Sequence, residues 1–480
     1  MSLPPELNSL INKKKGFSIL IKGPAGVGKT LLTLEMLLNA SKGMYVSSRI
    51  SPHALFDHIP DFEEKLSKIK VIDASQALIP TVATPEDSKQ AIFKAIKYHD
   101  LPDFITHLIG EIETFSKTEK GSLLVAIDSW EAILESKKQD NFVTQSGQKR
   151  VEALLSDIIK ITNVNLILVA EHAAPTFLDY LVDVILDLHL DYMDGQPIRT
   201  LEIKKLRGTD IVQNKYLYSL KSGRFTYFDK FEFKLPEIML RPKPIKDPRA
   251  QLLSTGSHNF DKILDNGIKY GSWILFEVGD GIGDGFYQLI IPLIVNHLNL
   301  DRDLLTILPE GTNIYQFEKL HSGFVPDEKF KDHVVVFEMF SGYNLKETVK
   351  SQVQEIDKDP EEMFDKIHKE LLEKGNDIEK PPFLVVGLDT LELLYPEKEF
   401  LKALVTNISF TKNFLNVTVA LAKEEQECVK TLSHLCSMHW KLELVHQSLL
   451  LRGIQPITGY YGITVDLSEG FIDLQFTPIV

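Results

Sequence analysis

The sequence predicts an α/β protein of two tandem domains, each a mostly parallel sheet flanked by helices and finished by antiparallel edge strands. Three observations carry that prediction. Apolar strand-like runs alternate with helical patterns, as expected for parallel strands joined by crossovers. A strand, a glycine-rich loop and a helix follow one another twice, at 17–40 and at 273–298. Between the copies, "FKLPEIMLRPKPIKDPRAQLL" holds Pro236, Pro242, Pro244 and Pro248. Proline at that density suits neither helix nor sheet interior, so the segment reads as an extended linker. The expected division is 1–236, a linker at 237–249, and 250–480.

In the first half, strands are expected at 17–21, 43–48, 69–73, 122–127 and 165–170, with helices at 30–40, 89–98 and 147–161. The shorter segments 184–190, 199–206, 214–219 and 224–228 have hairpin-like spacing and should extend the sheet edge antiparallel. The first glycine loop is "GPAGVGKT", which matches G-x-x-x-x-G-K-[ST] at every fixed position between a strand and a helix. Its residues are Gly23, Pro24, Ala25, Gly26, Val27, Gly28, Lys29 and Thr30. The glycines let backbone N–H groups turn inward around a phosphate, and the helix adds its positive end. Lys29 should reach the β- and γ-phosphates of ATP, and Thr30 should ligate Mg²⁺. The apolar strand in "GSLLVAIDSW" ends in Asp128, the expected acidic partner of the metal, held through water.

The second half repeats the order without the chemistry. "GDGIGDGF" at 279–286 follows the strand 273–278, but Asp284, Gly285 and Phe286 stand where glycine, lysine and a hydroxyl belong. Asp280 and Asp284 would repel a polyphosphate. "PPFLVVGLDTLELL" supplies a matching apolar strand with Asp389, and "LRG" recurs late in both halves, at Arg207 and Arg452. Shared order and comparable spacing point to duplication, with a pseudo-ATPase second copy.

Composition narrows the classes. With 44% hydrophobic and 25% charged residues this is an ordinary globular chain, and no apolar run approaches a membrane span. Only Cys428 and Cys436 occur, which argues for a reducing cytoplasm rather than a disulfide scaffold. Together with His434 and His439 they fit no zinc spacing. A net charge of −14 argues against a nucleic-acid coat, leaving at most a local basic groove.

Taken together, "LLSTGSHNFDKILDNGIKYGSWILFEVGDG", "TFLDYLVDVILDLHL" and "LEIKKLRGTD" resemble the RecA-like ATPases of the KaiC type over nearly the whole chain. The archaeal GvpD-like regulators are similar too. The resemblance implies two RecA-like P-loop domains, ATP and Mg²⁺ as cofactors, and a homo-oligomeric ring, with a hexamer as one form. It also implies that Lys205 and Arg207, in the K-x-R strand, touch the nucleotide of an adjacent subunit. The alternative for that pair is two solvent-facing basic residues on an edge strand. In the second half the lysine position holds Leu450, and Arg452 reads as structural.

In KaiC-like proteins a glutamate pair after the second strand positions the attacking water. Here that phrase is "YVSSRISPHAL", with Arg49 and Ile50 at the glutamate positions. Glu131 and Glu171 are the candidate substitute carboxylates, although the favoured reading of each is a solvated helix or loop side chain. The leading reading is a nucleotide-gated regulatory or assembly protein with little or no hydrolysis, its second domain a scaffold or partner surface. A slow oligomeric ATPase comes next, then a recombinase-like DNA-binding ATPase.

Overall fold

A computed structural model describes residues 3–13, 16–47, 69–74, 103–119, 121, 123–135, 145–171, 174–339, 352–375 and 380–480. The helix expected at 89–98 and the phrase around Arg49 and Ile50 lie outside the described residues. The chain divides into two compact units, Met1–Asp229 with Ile479–Val480, and Lys230–Pro478.

In the first unit the order is α1 (Pro5–Lys13), β1 (Ser18–Lys22), α2 (Lys29–Asn39), β2 (Lys42–Ser47), β3 (Ile69–Asp73), α3 (Asp103–Thr118), β4 (Leu123–Asp128), α4 (Trp130–Glu135), α5 (Gln145–Thr162), β5 (Asn165–Val169), α6 (Leu178–Leu181), β6 (Val184–Met193), β7 (Gln196–Leu206), β8 (Lys215–Ser219) and β9 (Thr226–Tyr227). The sheet runs β3-β2-β4-β5-β1-β6-β7-β8-β9. Its first six strands are parallel, and β7, β8 and β9 follow antiparallel at the edge. Strand β1 is buried along its whole length, and alternation sorts its residues between two cores. Ile19 and Ile21 pack with Leu7, Leu32 and Met36 from α1 and α2. Leu20 packs with Ile112 and Leu155 from α3 and α5. A strand covered on both faces favours apolar residues at successive positions, here Ile19 to Ile21, and the buried Ser18 and Lys22 at its ends are hydrogen-bonded to Asp183 and Asp179.

The second unit continues with β10 (Leu252–Leu253), α7 (His258–Ile263), β11 (Ile268–Lys269), β12 (Trp273–Val278), α8 (Tyr287–Asn299), β13 (Leu304–Ile307), α9 (Ile314–His321), α10 (Asp327–His333), β14 (Val334–Glu338), β15 (Val353–Glu355), α11 (Pro360–Lys374), β16 (Phe383–Gly387), α12 (Leu388–Leu394), α13 (Glu397–Phe414), β17 (Val417–Lys423), α14 (Cys428–Ser433) and β18 to β21 (Met438–Val445, Ser448–Gln455, Tyr460–Asp466, Asp473–Pro478). Its large sheet runs β15-β14-β13-β16-β17-β12-β18-β19-β20-β21. Apart from β15 at the edge, this is the order of the first sheet with each strand replaced by its counterpart. The protein is thus a mixed α/β chain with two mostly parallel, helix-flanked sheets.

Two details differ from the sequence expectation. The proline-rich segment has no helix and almost no strand, yet it docks on the second unit instead of standing apart. The Asn296 side chain bonds both the N–H and the carbonyl of Ile245, and the Leu240 N–H bonds the Gly470 carbonyl. Prolines block regular structure but leave carbonyls and side chains available for such docking. Asp389, expected at a strand end, lies in the first turn of α12, because β16 stops at Gly387.

Candidate functional site

Strand β1 delivers the chain into the loop Gly23–Thr30 with an anchored base. The Lys22 ammonium is buried and bonds the Asp179 carboxylate at 2.8 Å and the Ala174 carbonyl at 2.9 Å. Gly23, Gly26 and Gly28 have φ of 143°, 77° and 97°, the region that side chains disfavour. Gly28 caps α2 without any side-chain bond to the first turn, so the helix's positive end faces the loop. Within the loop, Lys29 donates to the carbonyls of Gly23 (2.7 Å) and Pro24 (2.9 Å).

The Thr30 and Asp128 side chains meet. The Thr30 hydroxyl donates to Asp128 Oδ2 at 2.7 Å. That same oxygen accepts the Tyr45 hydroxyl at 2.9 Å. Burial, and next the Asp128 charge, push the Tyr45 pKa above the ordinary tyrosine value, so Tyr45 remains a donor. The parallel pairing of β2 with β4 fixes this cluster by setting Ser47 beside Asp128 and Tyr45 beside Ala126.

The antiparallel edge strands buttress the loop from behind. A Cβ on Gly23 would lie 2.5 Å from the Leu188 carbonyl oxygen of β6, and one on Gly28 2.7 Å from Leu220. Arg199 on β7 donates to the Gly26 carbonyl at 3.1 Å, and Tyr218 on β8 to the Val27 carbonyl at 2.6 Å. Sequence reasoning missed Tyr45, Arg199 and Tyr218. No spacing announces them, although Tyr45 does stand in the phrase that drew attention to Arg49.

The remaining candidates fall around this core. Glu131 and Glu171 come together, with Glu131 Oε1 accepting the Glu171 N–H at 3.1 Å and Oε2 lying 3.4 Å from the Ser129 hydroxyl. Lys205 bonds the Asp179 carbonyl at 2.7 Å, while Arg207, just past the end of β7, bonds the Tyr180 carbonyl at 3.1 Å and approaches Asp183. Burial, followed by the Arg207 charge, holds the Lys205 pKa below the ordinary lysine value.

In the second unit the corresponding loop is packed with apolar rings. A Cβ on Gly285 would lie 2.4 Å from the Phe231 ring, and Phe286 packs on Tyr287 at 4.3 Å between centroids. Asp389 is paired with the Lys423 ammonium at 3.1 Å. A cavity of about 210 Å³ remains among Gly279, Gly281, Phe286, Asp389 and Lys423. Among the described residues no cluster of His, Cys, Asp and Glu has the makings of a metal site, and no helix is long and apolar enough to cross a membrane. Burial pushes the Cys428 and Cys436 thiols up, to about 12 and about 11.

Comparison with known proteins supports a P-loop in the first unit. Residues 7–204, which hold the loop, Asp128, β6 and most of β7 but not β8, match the family described as GvpD gas vesicle protein, P-loop domain. Over 99% of its length the chain is similar to Protein GvpD2 of Halobacterium salinarum, at 22% identity across 504 residues and 96% of that relative. Protein GvpD1 of the same organism is 24% identical over 543 residues, with the same coverage. The first unit carries a P-loop domain of the nucleotide-binding kind, similar to that of the GvpD proteins.

Proposed function

We propose that the chain is a nucleotide-gated regulatory protein with one working site, which takes ATP with Mg²⁺ at Gly23–Thr30. The observation that carries this reading is the contrast between the loops. One joins Lys29, Thr30 and Asp128, with the hydroxyl 2.7 Å from the carboxylate. The other has Gly285 and Phe286, and its acid is already neutralised by Lys423. Thr30 and Asp128 would hold the metal, which would offset phosphate charge; the glycine loop and Lys29 would hold the phosphates. Nucleotide binding at such a site shifts a conformational population without a chemical step. The second unit, a pseudo-ATPase, then serves as scaffold or as the surface for a protein partner. Similarity to GvpD1 and GvpD2 along the chain supports a regulatory role connected with gas vesicles.

Little hydrolysis is expected, because Arg49 and Ile50 replace the water-positioning pair and Glu131 is engaged by the Glu171 N–H. A second reading, a slow oligomeric ATPase, draws on the same contact, which brings Glu131, three residues beyond Asp128, to the backbone N–H of Glu171, two residues beyond β5. Phosphate release from MgATP, followed at several protein concentrations, separates the two. Release that rises with concentration and stops in Glu131→Gln or Glu171→Gln supports the ATPase; release near background supports the regulator. Lys205 and Arg207 would act across a ring interface, Arg207 being 55% exposed. Light scattering with and without ATP tests that, and a monomer under both conditions removes it.

A further inference from the structure

We propose that Arg199 and Tyr218 are positioning residues of the phosphate cradle, fixing from behind the direction in which two loop amides point. The inference rests on the nucleotide reading above. It starts from a property of the peptide unit: in a planar trans peptide, the carbonyl of one residue and the N–H of the next point in opposite directions. Holding the carbonyl of residue 26 therefore aims the N–H of Val27, and holding the carbonyl of residue 27 aims the N–H of Gly28. The loop has two donors placed to do this. The Arg199 guanidinium donates to the Gly26 carbonyl at 3.1 Å, and the Tyr218 hydroxyl to the Val27 carbonyl at 2.6 Å. With both carbonyls pinned toward the edge strands, both amides face away from them, toward the side a bound phosphate takes in such a loop.

The two donors are built as one device. Arg199 and Tyr218 are cross-strand partners in the antiparallel pairing of β7 with β8. Tyr218 is fully buried, stacked on Phe225 at 4.6 Å between centroids, and its hydroxyl has the Arg199 guanidinium as a further hydrogen-bond partner. The other arm of Arg199 is also held, its Nε donating to the Val480 carbonyl at 2.7 Å. A glycine loop with three positive φ values is otherwise free to turn its peptides either way. A fixed set of amides costs no reorganisation when the anion arrives.

The test uses the full chain and ADP as probe. Calorimetry should show ADP bound by the wild type, with the dissociation constant raised about tenfold in Arg199→Gln and about three- to tenfold in Tyr218→Phe, the range for one lost hydrogen bond. Arg199→Lys, which keeps a donor and the charge, should recover part of the loss. Amide NMR supplies a readout that general destabilisation would not reproduce. On adding ADP to the wild type, the Val27 and Gly28 amide protons should shift downfield; Arg199→Gln should blunt the Val27 shift, and Tyr218→Phe the Gly28 shift. Should Arg199→Gln fail to fold, Tyr218→Phe, which removes a single oxygen, decides the matter. Wild-type affinity and amide shifts in the variants overturn this inference alone. A wild type that binds no ADP overturns the nucleotide reading, and this inference falls with it.

Discussion

The loops at 23–30 and 279–286 occupy equivalent places in two sheets of the same strand order, β15 apart, yet they carry different residues. In the first, the positions that matter carry Lys29 and Thr30, and the acid at the end of β4 accepts the threonine hydroxyl. In the second, Gly285 and Phe286 stand at the corresponding positions. The Phe231 ring packs against Gly285, and Lys423 at the end of β17 pairs with Asp389. Burial works against the Lys423 charge, but Asp389 and Glu310 outweigh it and raise its pKa. The lesson is that one strand–loop–helix frame recurs in both sheets with different side chains, because the sheet needs the turn whatever the loop carries. In the second loop the carboxylate is paired with an internal cation.

The largest effect should follow from removing what only the first loop has. Lys29→Ala deletes a charge-assisted contact to the phosphates, worth about 3–6 kcal/mol for two such bonds, so calorimetry should find ATP binding weakened at least about 100-fold. Replacing loop residues of 279–286 should leave binding unchanged. Glycine substitutions sharpen the same contrast. Gly23→Ala places a Cβ at 2.5 Å from the Leu188 carbonyl with φ at 143°, and should cost about 2–3 kcal/mol of stability in denaturant unfolding. Gly283→Ala in the second loop meets nothing within 4 Å and bears only its φ of 52°, so about 1 kcal/mol is expected.

Acid should separate the units as well. Complete burial pushes the pKa of His297 down to about 3 and that of His321 to about 4, and both lie in the second unit. Both imidazoles are neutral in the fold, so between the ordinary histidine value and these depressed values the unfolded chain binds more protons. Stability therefore falls as pH drops below about 6.5, by about 2 kcal/mol for each imidazole at pH 5. Trp273 and Trp440 report on that unit. Their fluorescence in an acid titration should move before that of Trp130, and simultaneous transitions would show that the two histidines do not set the limit.

The sequence carried the parts of this account that are contiguous. The strand–loop–helix unit, Asp128 at the end of its apolar strand, and the order of strands and helices are each local patterns. What it could not carry are contacts made by folding back. Tyr218 reaches the Val27 carbonyl from 191 residues away, and Tyr45 reaches Asp128 across 83. Tyrosine and arginine at edge strands have many uses, and only the antiparallel register brings these to the loop. The docking of 237–249 was equally hidden, since it depends on single partners such as Asn296 and not on any pattern in the prolines.

The central claim is that one of the two loops works, and the number of nucleotides bound per chain tests it most directly. Calorimetric titration of the full chain with MgATP should return one site per chain, and that site should vanish in Lys29→Ala. Two sites per chain, or one site that survives Lys29→Ala, would contradict the account.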